Sequence, residues 1–239
     1  MRHSPTVATL AIQNRYDAAN ILHTGVLKGK TMFVDFSTLK PREAYRWMAS
    51  AITPRPIAWV SSLSGDNVAN LAPFSFFQMI TATPPTLMIA PMVQSDGSRK
   101  DTARNIQESG EFVVNLVPHA LRDMMNQTSF GYDGETSEFE VCGIPQEPSR
   151  LVKPPRVAGV PVSFECKLVS CTPYPADKPS CYVIFGEVVA AHIDEAILND
   201  AGQVDPMRLD LLSRMGNDWY GRTASTANFE LGRPEGWRR

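Results

Sequence analysis

Two short segments gather the groups that a flat, phosphate-bearing ligand would need. In Ser98-Arg99-Lys100-Asp101-Thr102, two cations and two hydroxyls stand directly before a stretch of helical pattern. The first turn of a helix leaves amide N–H groups without acceptors and carries a partial positive charge, so anions settle there. Lys100 and Arg99 would add charge-assisted bonds, and Thr102 a hydroxyl and an amide. Asp101 reads as the N-cap, and on its own the cluster also describes a capped helix start on a solvated face. The second segment is Asn70-Leu71-Ala72-Pro73-Phe74-Ser75-Phe76-Phe77. Its small residues let backbone approach a ring edge, its amide and hydroxyl match polar atoms there, and its aromatic side chains shield a ring face. The same stripe also fits an ordinary core, as does Trp59. Ser61 and Ser62 end a strand and face opposite ways, so the pair offers one more hydroxyl.

Composition narrows what such a ligand would serve. The chain has 239 residues, 43% of them hydrophobic and 20% charged, with a formal net charge of -2, which fits a globular protein with a substantial core. No basic footprint points to nucleic acid, and no apolar run approaches the ~20 residues of a membrane span. The apolar run at residues 7–12 is too short for an export signal, so a soluble, cytoplasmic protein is expected. Cys142, Cys166, Cys171 and Cys181 show no C-x-x-C spacing and read as reduced and mostly buried, with a redox dithiol as the alternative. His3, His23, His119 and His192 have no ligand spacing, so no metal is expected. Neither G-x-G-x-x-G nor G-x-x-x-x-G-K-[ST] occurs, which argues against a Rossmann or P-loop site.

The elements that must position the two segments follow from periodicity. Residues 1–31 carry no sustained period and read as an N-terminal extension, a mobile tail or an arm that covers a partner subunit; residues 32–239 read as one domain. A helix is expected over residues 41–48, with Pro41 in its first turn and Ala44, Trp47 and Met48 on one side. A strand over 57–62 turns at Ser64-Gly65-Asp66-Asn67 and returns over 68–72. Further strands are expected over 86–90, 111–117, 162–170 and 182–192. In the third of these, Val162, Phe164, Cys166 and Leu168 alternate with Ser163, Glu165 and Lys167, the pattern of a half-buried strand. Helices are expected over 102–109, closed by Gly110, over 120–127 with Leu121, Met124 and Met125 on one face, and over 206–215. The prolines of 145–161 suggest a long surface connection. Short strands dominate and helices intrude singly, so the fold class is mainly β with a few helices, an antiparallel barrel closed or partly closed.

Several motifs occur together and in order: Thr53-Pro54-Arg55-Pro56-Ile57-Ala58-Trp59-Val60-Ser61-Ser62, Asn70 to Phe77, Pro84-Pro85, Lys100-Asp101-Thr102-Ala103-Arg104-Asn105-Ile106, Glu111-Phe112-Val113-Val114-Asn115-Leu116, Phe185-Gly186-Glu187-Val188-Val189, and Arg214-Met215-Gly216 followed by Trp219-Tyr220. Over about residues 32–234 the chain resembles the flavin reductase-like proteins, flavoredoxins included. The resemblance implies a split antiparallel β-barrel forming a homodimer, with FMN near the subunit interface and hydride arriving from NADH or NADPH as co-substrate. It implies flavin contacts from the backbone of Arg55, Pro56, Ile57 and Ala58, from Ser61 and Ser62, from Asn70, Ala72, Pro73 and Ser75, and from Lys100, Asp101 and Thr102, with Arg99 beside them. Tyr182 is a further candidate, since the family often brings a ring toward the flavin from this strand. Thr172-Pro173-Tyr174-Pro175-Ala176-Asp177-Lys178-Pro179 departs from the shorter glycine-rich turn of the family. No catalytic acid or base is expected, because the redox chemistry belongs to the cofactor. The leading expectation is an NAD(P)H-dependent flavin reductase serving a partner monooxygenase or reducing a small-molecule acceptor. An electron carrier with tightly held FMN and a protein redox partner is the alternative, and a flavin-free barrel serving as a binding module is a third. FMN against FAD, and NADH against NADPH, stay open.

Overall fold

The structure, a computed structural model, describes residues 31–234 and 236. The expected N-terminal extension lies outside them, Thr31 excepted. Residues up to Ala44 and those from Tyr45 onward form two compact units. In the first, the Asp35 carboxylate accepts the Ser37 amide at 2.9 Å and caps a 3-10 turn, Phe36–Thr38. Helix α1, Pro41–Ala51, starts there with proline in its first position and runs three residues past its expected end.

In the second unit, seven antiparallel strands form one sheet in the order β3-β2-β6-β9-β10-β5-β4. They are β2 (Ala58–Leu63), β3 (Ala69–Phe74), β4 (Phe77–Ala82), β5 (Pro85–Ile89), β6 (Glu111–Leu116), β9 (Val162–Tyr174) and β10 (Cys181–Ile193). The edges, β3 and β4, do not pair with each other, which leaves the open seam expected of a split barrel, and the fold is mainly β. Short strands β1 (Arg55–Pro56), β11 (Leu212–Arg214) and β12 (Tyr220–Arg222) make a second sheet, and β7 (Gln146–Glu147) pairs with β8 (Arg156–Val157).

The strict alternation of β2 sends its residues into two cores. Ala58 and Val60 join Leu87, Ile89, Phe112, Val114 and Ile184 inside the barrel, where helix α2 (Asp101–Ser109) adds Ala103 and Ile106. Ile57 and Trp59 face the other way, against Leu71, Val117, Met125, Phe139 and Leu212. Trp59 is fully buried and donates its indole N–H to Thr128 Oγ1 at 2.9 Å. Gly110, at φ 73°, ends α2 in the left-handed conformation that glycine adopts without penalty.

Several expectations are corrected here. Residues 206–215 are not a helix: Leu211 bridges Pro118, the Leu212 amide donates to the Val117 carbonyl at 2.8 Å, and Leu212 is buried. Pairing with a neighbouring strand end overrides a local helical pattern. The return arm of the hairpin spans Ala69–Phe74, and β4 was not expected at all. Residues 120–127 split into a 3-10 turn, His119–Leu121, and helix α3, Arg122–Gln127, in which Met125 is buried while Met124 is exposed. Residues 145–161 are more than a surface connection, since they carry β7 and β8 and bury Val152 and Val157. That segment covers the face of β9 expected to be solvated, so Ser163 and Glu165 are buried too. Only Cys166 of the four free cysteines is buried.

Candidate functional site

The two segments singled out in the sequence meet. Helix α2 packs across β2 and β3, and the register that sets Ser62 opposite Asn70 brings both beneath the first turn of the helix. Thr102 donates its hydroxyl to Asn70 Oδ1 at 2.7 Å, Ser62 reaches the same oxygen at 3.3 Å, and Asn105 Nδ2 reaches Ser62 Oγ at 3.4 Å. Asn70 in turn donates its amide to both carboxylate oxygens of Glu138, at 3.0 and 3.1 Å, and the Leu71 amide donates to Glu138 Oε2 at 2.8 Å. Glu138 opens a short helix, α4 (Glu138–Val141), and has no cationic partner among the described residues. Burial pushes its carboxyl up from the usual range, against the hydrogen bonds from Leu71 and Asn70, and Asp101 nearby pushes the same way. Nothing in its spacing distinguished Glu138 in the sequence, because its role depends on a strand 67 residues away.

Above this buried layer the helix start stays open. Lys100, not Asp101, is the N-cap, and it caps without its side chain. Asp101 instead pairs with Arg104 at 2.5 Å, which removes it from the amides it was expected to cover. The amides of Asp101 and Thr102 have no acceptor among the described residues. The Lys100 ammonium lies 5.8 Å from the centre of the Phe74 ring, and the Arg99 guanidinium 5.3 Å from that of Tyr182. Arg99 also donates to Gln107 Oε1. Among the described residues neither cation is in an ion pair.

At the far end of β3, Ile57, Pro73, Phe74 and Ser75 line a cavity of about 800 Å³ whose lining also includes Arg122, Arg214 and Tyr220. Arg214 and Tyr220 belong to motifs that carried the family resemblance, but no role in a site was assigned to them.

The side chains of the remaining expected residues are placed within the fold. The Arg55 side chain is 7% exposed and serves the fold: it donates to the carbonyls of Ala49 and Ile52 at 2.5 Å and of Met215 at 3.1 Å, which ties the end of α1 to the loop after β11. Gly216 allows that approach, since a Cβ there would lie 2.8 Å from Ser50 Cα. Pro56 is exposed at the end of β1, and Ala58 is sealed in the barrel core. Ala72 packs against that same core. Ser61 donates to the Pro155 carbonyl on the opposite face of β2 from Ser62.

A phosphate and a flat ring fit this arrangement. Free amides and two cations without counter-charges suit the first, and an edge strand whose last residues border a roomy cavity suits the second.

The chain matches the family model described as flavin reductase like domain over residues 48–207. A protein from Aquifex aeolicus is 37% identical over 176 residues, which is 74% of this chain and 88% of that protein. Among solved structures, nitrilotriacetate monooxygenase component B from Bacillus cereus aligns with a TM-score of 0.80 at 28% identity, covering 85% of this chain and all of that one. The 2-nitrobenzoate 2-nitroreductase of Pseudomonas fluorescens aligns with a TM-score of 0.77 at 29% identity, covering 87% and 99%.

Proposed function

The chain belongs to the flavin reductase-like family, an oxidoreductase family, and on that premise we propose that it is an FMN-binding, NAD(P)H-dependent flavin oxidoreductase. The observation that carries the reading is the open start of α2, where Lys100 and Arg99 have no counter-charge among the described residues and stand beside the free amides of Asp101 and Thr102. FMN supplies, when bound, two-electron chemistry between a nicotinamide donor and an acceptor. The chain's own part is to bind and orient. Lys100 and Arg99 hold the phosphate together with the two amides, while the Thr102 hydroxyl, committed to Asn70, fixes the helix start against β3. Pro73 to Ser75 border the ring from the end of that strand, and Tyr182, under Arg99, closes one side. Ser62 and Asn70 act from beneath, by keeping the helix start in place.

The acceptor is a small molecule or a protein partner; the structural relatives named for a monooxygenase component and a nitroreductase support both. A homodimer is the working assembly: edge strand β4 leaves Met79 and Ile80 exposed at 65% and 48%, and an uncovered apolar edge invites a second copy. Among the described residues no helix is long and apolar enough to cross a membrane, and the free cysteines favour the cytoplasm. The test is Lys100→Ala. Losing one bond to a charged group weakens FMN binding by about 1.5–3 kcal/mol, roughly ten- to a hundredfold, by fluorescence titration. Unchanged affinity would refute the phosphate placement.

A further inference from the structure

Part of the lining of the cavity beside β3 is not used by the flavin reading. Arg122 from α3, Arg214 from β11 and Tyr220 from β12 line the same cavity as Ile57 and Pro73, as do the carboxylates Asp123 and Asp218. The Arg214 guanidinium stacks 4.5 Å from the centre of the Tyr220 ring. Its nearest carboxylate, Asp218, is 3.9 Å away and wholly exposed, a pairing of little strength. Arg122 donates to the His119 carbonyl and meets only the exposed Asp123, at 3.3 Å in each case. Arg222, also in this lining, is already satisfied by Asp210.

A second observation points the same way. Arg214 is paired in register with Arg55 across β1 and β11, and like charges directly opposite on a ladder repel. Arg55 is buried and bonded to three carbonyls and, at 3.4 Å, to the hydroxyl of Ser75, which itself lines the cavity. Among the described residues the one ion pair of either cation is that of Arg214 with Asp218, which is exposed and also lines the cavity. Burial lowers the proton affinity of Arg55, Tyr45 opposes that, and the charge of Arg214 adds to the lowering.

We infer that this cavity binds a flat organic anion, its charge held by Arg214 and Arg122 and its apolar body resting on Tyr220. An arginine stacked on an aromatic ring keeps its outer donors free for such a group. The volume of about 800 Å³ admits it beside a bound cofactor. That this anion is the co-substrate rests on the flavin reading; that the cavity takes an anion does not. Two sources share the chemistry, a nicotinamide dinucleotide and an aromatic carboxylate acceptor.

Calorimetric titration of the wild-type chain with NADH, with benzoate and with neutral benzamide tells them apart. At least one of the anions binds, benzamide binds at least tenfold more weakly than benzoate if benzoate is the one, and Arg214→Ala weakens the bound anion at least tenfold. Arg214→Lys restores part of the loss, and FMN affinity in R214A stays within twofold of wild type. Arg122→Ala, at a half-exposed position, gives a severalfold loss and serves if R214A fails to fold. The inference is overturned if neither anion binds, if neither arginine variant changes anion affinity, or if R214A loses FMN affinity as K100A does, which would make the cavity the flavin's own. If K100A leaves FMN binding intact while R214A still weakens anion binding, the flavin placement fails and this inference stands.

Discussion

Replacing Glu138 by glutamine probes the layer that holds the candidate site together. The carboxylate accepts three hydrogen bonds, two from Asn70 Nδ2 and one from the Leu71 amide, in a position only 6% exposed. Glutamine keeps one acceptor oxygen and turns an NH2 group toward donors, so at least one buried N–H is left unpaired, at a cost of about 1–3 kcal/mol. Urea unfolding of the wild type and E138Q gives this difference directly. Its pH dependence follows from the raised carboxyl of Glu138. Where the folded chain still holds this proton and the unfolded chain has released it, rising pH destabilises the wild type, and stability falls from the unfolded value near 4.5 up to the raised folded value. E138Q lacks this group, while every other titration is common to both proteins. The gap between them is therefore widest at acid pH and narrows as pH rises through that window. FMN affinity in E138Q falls as well, because Asn70 and Thr102 lose their anchor. Equal stability of the two proteins, or a gap that widens with pH, would refute the reasoning.

Glu165 has the opposite sign. It is fully buried, yet the amides of Arg150, Leu151 and Val152 and the His192 ring all donate to it, at 2.7, 2.5, 3.1 and 2.5 Å. Burial pushes its carboxyl up, but the Arg150 amide, His192 and the Leu151 amide outweigh burial and hold it below the usual range. Its stabilisation is present above the unfolded value and is lost as pH falls through the folded one. Glu165→Gln costs about 2–5 kcal/mol at neutral pH in urea unfolding, and a loss under 1 kcal/mol would show that residues 148–157 are held by other contacts. At Gly186 an added Cβ would lie 2.7 Å from Phe112 Cε1 and closer still to Cζ, inside a fully packed core. Gly186→Ala therefore destabilises by about 1–3 kcal/mol in thermal unfolding, and an unchanged midpoint would mean that the ring yields freely.

How much of this was written in the sequence differs by element. Alternation in β2 and the sharp stop at Gly110 are local properties, so the strand core and α2 could be read from residue order alone. The joint motifs carried the family and the split barrel, and they placed Asn70, Thr102 and Lys100 in one neighbourhood. Local pattern failed where a distant segment supplied the deciding contact. Residues 206–215 look helical until Val117 and Pro118 offer strand partners, and Ser163 and Glu165 look solvated until residues 148–157 cover them. The division of labour within the site was likewise a tertiary matter. Asn70, Ser62 and Thr102 turn inward because Glu138 and Asn105 meet them there, Arg55 is taken up by three carbonyls, and Lys100 and Arg99 stay open because no carboxylate of the described residues pairs with them. Periodicity records which face of an element is apolar. Which polar groups find one another across the chain is settled only when the strands take their register.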